Sequence, residues 1–81
     1  MKTKGKKVIL YSMPKCPPCL ALKDFLNKNK IKFENFDVEF NLANREELRK
    51  LSGGTKVPYI IIDDAPILGF NQEKISNLLG L

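Results

Sequence analysis

The run Cys16-Pro17-Pro18-Cys19 constrains this chain more than any other stretch, because it falls where one local structure must give way to another. Ahead of it lies Val8-Ile9-Leu10-Tyr11, a short apolar, β-prone segment that suits a buried strand. Behind it Leu20, Leu22, Phe25 and Leu26 recur at helical spacing. Prolines are tolerated in a first helical turn, where the N–H groups have no partner in any case. A helix starting near Cys16 and running to about Asn29 is therefore expected, with the cysteine pair at a strand-to-helix junction.

The rest of the chain continues the alternation of strand and helix. Phe33 to Val38 is a second strand candidate. Asn44-Arg45-Glu46-Glu47 has the form of a capping box, with Asn44 as cap, and the helix behind it carries Leu48 and Leu51 inward before stopping at Gly53-Gly54. Val57-Pro58-Tyr59-Ile60-Ile61-Ile62 is the strongest strand, with Pro58 admissible only at its start or on an edge. Asp63-Asp64-Ala65 supplies turn chemistry, and Pro66-Ile67-Leu68 returns as a hairpin partner. Asn71 caps a last helix with Ile75, Leu78 and Leu79 on its inner face. The order is β-α-β-α-β-β-α, an α/β chain with a mixed four-stranded sheet and three helices.

Composition narrows the function classes. At 81 residues the chain reads as a single domain, 1–81, with a basic N-terminal tail over 1–6. A hydrophobic fraction of 43% and a charged fraction of 28% are those of an ordinary globular chain. No apolar run approaches the ~18–20 residues of a membrane span, and none supplies the core of a secretory signal, so a cytoplasmic protein with no membrane partner is expected. The formal charge is +5, but Lys2, Lys4, Lys6 and Lys7 supply most of it. From residue 8 onward ten basic side chains face nine acidic ones, a balance that argues against a nucleic-acid surface. A monomer is expected.

Two cysteines closing so small a loop would stabilise a fold little, so chemistry explains the pair better than architecture. A sulfur at a helix N-terminus faces unpaired N–H groups and the positive end of the helix dipole, which suits a thiolate nucleophile, and Lys15 adds charge beside it. Cys19 lies one turn further in on the same face, within reach of a mixed disulfide on Cys16. The alternative is half of a metal site. There is no histidine and no second cysteine pair, so zinc or an iron–sulfur cluster would need a dimer or an outside ligand; no metal is expected. Met13-x-x-Cys16-x-x-Cys19 also has a faint likeness to copper-chaperone loops, whose element order differs.

Three stretches together resemble the glutaredoxin branch of the thioredoxin superfamily: Tyr11 through Cys19, Thr55-Lys56-Val57-Pro58, and Leu68-Gly69-Phe70 leading into the last helix. The resemblance implies the thioredoxin fold and a dithiol–disulfide oxidoreductase that reduces protein disulfides, with Cys16 as nucleophile and Cys19 as resolving thiol. It also implies that Pro58 is cis and that Lys15, Tyr11, Lys56, Val57, Pro58, Gly69, Phe70 and Asn71 form the substrate surface. No cofactor is tightly bound on this reading, with glutathione as a reductant.

Departures from the family pattern bear on the electron donor. Met13 stands where glutathione-using members carry a basic residue, Pro18 where they carry tyrosine, and Lys56 where they carry threonine. Gly69-Phe70-Asn71-Gln72 replaces a Gly-Gly-Cys-Asp-like stretch. The Gly-Phe pairing is similar to that of the NrdH-redoxins, which pass electrons to ribonucleotide reductase and are recharged by thioredoxin reductase. The implied partners are thus disulfide-containing proteins, with either glutathione or thioredoxin reductase as donor.

Overall fold

The computed structural model describes residues 6–81, and most of the expected basic tail lies outside them. Lys6 lies within them and is not loose: its Nζ sits 3.7 Å from Asp63 Oδ2. The next backbone amide, Lys7 N, donates to Asp63 Oδ1 at 2.7 Å.

The elements follow the expected order. They are β1 (Val8–Ser12), α1 (Pro17–Lys28), β2 (Glu34–Asp37), α2 (Leu42–Ser52), β3 (Tyr59–Ile62), β4 (Ala65–Leu68) and α3 (Gln72–Leu79). The sheet order is β2-β1-β3-β4, with β1 parallel to β2 and antiparallel to β3, and β4 antiparallel to β3. Strands β1, β2 and β4 therefore all finish at one end of the sheet. Each leads into a helix, so all three helices begin there.

Alternation along the strands splits the core in two. Val8, Leu10, Ile60, Ile62 and Ile67 point to one face, where Leu22 and Leu26 of α1 and Ile75 and Leu79 of α3 close over them. Tyr11 and Tyr59 point to the other face and meet Val38 and Leu48 of α2. Each large apolar side chain buried this way stabilises the fold by about 1.5–3 kcal/mol. Helix α2 contributes only Leu48 to the fully buried set.

Two expectations about the helices are corrected. Asn41, not Asn44, caps α2: its Oδ1 accepts from Asn44 N at 3.0 Å. Leu51, expected inward, is 46% exposed, and Leu20 of α1 is 51% exposed. Both sit on the flanks of amphipathic helices, where spacing alone assigns a residue to either side. Gly53 ends α2 as expected, at φ 81°, a left-handed conformation that glycine adopts without a Cβ clash. No helix among the described residues is long and apolar enough to cross a membrane.

Candidate active site

Cys16 is the N-cap of α1, extended at φ −102° and ψ 110°, with its carbonyl accepting from Leu20 N at 3.0 Å. Its side chain makes no capping hydrogen bond and is half-buried, so the sulfur remains available for chemistry. Pro17 and Pro18 occupy the first two helical positions. They carry no N–H, so among the first three helical residues only Cys19 offers one. The helix start thus presents fewer amide donors than its position implies.

Cys19 lies within the first turn and is fully buried. Burial above all, and then a hydrogen bond to the Cys16 side chain, push its thiol up to about 11. The Met13 backbone N–H and the Lys23 ammonium act in the opposite direction without cancelling the effect. The two thiols are therefore close neighbours, one half-buried and the other enclosed and protonated. Neither the Met13 amide nor Lys23 was identified from the sequence. A backbone donor leaves no trace in residue identity, but the four-residue step from Cys19 to Lys23 was a readable signal.

The strand pairing gathers several expected residues at this end. Tyr11 pairs with Tyr59 at the end of the β1–β3 ladder, so Pro58 and Val57, just before β3, lie at the end of the sheet where β1 finishes. Met13 and Val57 both pack on the Tyr11–Val38–Leu48–Tyr59 cluster. The Val57-Pro58 bond is cis. Gly69 N donates to Pro58 O at 2.8 Å, which joins the Gly69-Phe70 stretch to the same edge. Gly69 has φ 88°, which favours glycine. Lys15 and Lys56 are exposed.

Other expected residues are committed to the fold. Tyr11 is corrected from substrate contact to core: it is 6% exposed and stacks on Phe36 at 5.4 Å between ring centroids. A strand covered on both faces buries its outward-reading residues too, which β-alternation does not reveal. Phe70 is half-buried against Phe25, at 5.7 Å. Asn71 is the N-cap of α3, its Oδ1 accepting from Lys74 N at 3.1 Å. Among the described residues no three His, Cys, Asp or Glu side chains converge, so a metal on the cysteine pair would need ligands from another molecule.

Sequence comparison matches residues 8–67 to the glutaredoxin family profile. The chain belongs to the glutaredoxin family. This glutaredoxin-family chain is 40% identical to an uncharacterized glutaredoxin-like 8.6 kDa protein in the rubredoxin operon of Clostridium pasteurianum, over 86% of the chain and 93% of that protein. It is 39% identical to glutaredoxin 3 of Escherichia coli strain K12, over 76% of the chain and 75% of that protein. Among solved structures, the thioredoxin-like protein BC3987 superposes with a TM-score of 0.82 at 36% identity, covering 89% of the chain and 99% of that structure. The Archaeoglobus fulgidus glutaredoxin superposes with a TM-score of 0.79 at 27% identity, covering 90% of the chain and 85% of that structure. The fold is the thioredoxin fold, and the cysteine pair of this glutaredoxin carries a thiol–disulfide redox function.

Proposed function

We propose that this glutaredoxin is a dithiol electron carrier that reduces protein disulfides, with Cys16 attacking and Cys19 resolving. The observation that carries this reading is the asymmetry of the pair: a half-buried Cys16 beside a fully buried Cys19 that holds its proton. The Cys16 thiolate forms a bond to one substrate sulfur; the substrate disulfide breaks, and its other sulfur leaves and takes up a proton. Cys19 then gives up its proton and attacks the Cys16 sulfur, releasing the second substrate thiol. The substrate gains two electrons and two protons, and the protein is left with a Cys16–Cys19 disulfide. Burial keeps Cys19 from competing for the substrate, while its contact with Cys16 places it for the second step.

A protein reductase is the better fit as the donor that restores the dithiol. A small tripeptide depends on a few charge-assisted hydrogen bonds to its carboxylates. The start of α3 is a poor host for one. Asn71 Oδ1 already occupies the Lys74 amide, and Glu73 places a negative charge in the first turn. Lys15 and Lys56 remain as cations on the exposed surface.

The test uses the oxidised protein with NADPH and either thioredoxin reductase or glutathione plus glutathione reductase. Saturable NADPH consumption with thioredoxin reductase is expected; turnover with glutathione alone overturns the donor assignment. Cys16→Ser is expected to lose turnover and Cys19→Ser to accumulate mixed disulfides visible by intact mass. The reverse pattern would exchange the two roles.

A further inference from the structure

Cys16 can exchange disulfides with another protein only if that protein's surface covers the end of the sheet where β1 finishes. Strand β2 finishes at the same end: Ser12 pairs with Asp37, and Val38 N donates to Ser12 O at 3.0 Å. The segment 38–41, which leads from there into α2, is pinned from several sides. Asp37 Oδ2 accepts from Phe40 N at 2.7 Å. Arg45 reaches back from α2, its Nε donating to Val38 O at 2.9 Å and its Nη2 to Glu39 O at 2.7 Å. Asn44 Nδ2 donates to Asp37 O at 3.0 Å.

Val38 of this segment is buried, but Phe40 and, at the first position of α2, Leu42 turn outward. Phe40 is 79% exposed and Leu42 66%, more than any other large apolar side chain among the described residues. Neither contributes to a core cluster. A phenylalanine held in water on an ordered loop adds little to folding, but it has already lost the freedom that binding would otherwise remove. That is the condition of an interface anchor. The charge beside it is mixed, with Asp37 and Glu39 next to Phe40 and Lys15 and Lys56 exposed toward the same end of the sheet. A standard interface covers ~800 Å² per partner, enough to take in the cysteine and the neighbouring loop together.

We infer that Phe40 and Leu42 anchor the disulfide-bearing protein that Cys16 attacks, and that this partner offers an apolar recess beside its disulfide. The inference rests on the proposal that the substrate is a protein. A disulfide of a few atoms reaches Cys16 without covering the loop, so the two kinds of substrate separate the effects.

The experiment compares kcat/KM for insulin and for bis(2-hydroxyethyl) disulfide in the full chain, in the double variant Phe40→Ser/Leu42→Ser, and in Leu51→Ser. The last removes an exposed leucine near the far end of α2 and controls for a general loss of surface apolarity. The ratio of the two constants, insulin over the small disulfide, is expected to fall about tenfold in the double variant and to hold in Leu51→Ser. A ratio that holds in the double variant, or falls equally in Leu51→Ser, overturns the inference. So does self-association of the wild type that the double variant abolishes, which would make the patch an interface between copies. If the wild type reduces neither disulfide, it is the proposed function that fails.

Discussion

Cys19 and Cys16 are three residues apart and differ in what surrounds them. Enclosure and the hydrogen bond to its neighbour keep Cys19 protonated, while Cys16 borders solvent. Alkylation should read this directly. In Cys16→Ser the remaining Cys19 is expected to react with iodoacetamide near pH 7 far more slowly than Cys16 does in Cys19→Ser. Burial persists in that variant, so its rate should go on climbing as the pH passes the ordinary thiol range. Equal rates near pH 7 would show that Cys19 is neither enclosed nor protonated. The place of the pair at a strand-helix junction was legible in the sequence, because the apolar run before it and the helical spacing behind it both mark that boundary. The burial of Tyr11 was not legible. Its place in β1 says nothing of α2, which comes from much later in the chain and brings Leu48 over the same face.

At the level of elements, the start of α2 shows how two equal signals are separated by structure. Asn41 and Asn44 are three residues apart, and either could cap a helix. The Asp37 carboxylate closes a turn on Phe40 N, which leaves Asn41 extended at φ −114° and ψ 104°, the conformation a cap requires. Asn44 is then carried into the helix, and its side chain turns back to Asp37 O. Asn41→Ala should cost about 1 kcal/mol in urea unfolding, and Asn41→Ser should recover most of it. An unchanged midpoint in Asn41→Ala would mean the cap contributes nothing. The order of strands and helices was readable from periodicity. Phe40 and Leu42 were not, since apolar residues between a strand and a helix give no pattern that separates core from surface.

For the molecule as a whole, the buried thiol ties stability to pH. Its value in the folded chain is raised, so below the ordinary thiol range folded and unfolded chains both hold the proton and its contribution is complete. As pH climbs toward 11 the unfolded chain ionises first, and that contribution is lost. The slope is about 1.4 kcal/mol per pH unit for one proton, on the order of 3 kcal/mol across the window. Burial, followed by Glu47 and Tyr59, raises Tyr11 as well, which steepens the fall at higher pH. Urea midpoints of the reduced protein between about pH 8 and pH 10 should drop more than those of Cys19→Ala; parallel curves would show that Cys19 ionises alike in both states. The shared starting point of the three helices has a practical side. Lys30 sits exposed where the chain turns from α1 toward β2, at the end of the sheet remote from Cys16. A linker joined there would moor the protein to an electrode or a second domain with its reactive sulfur facing outward, free to be read electrically.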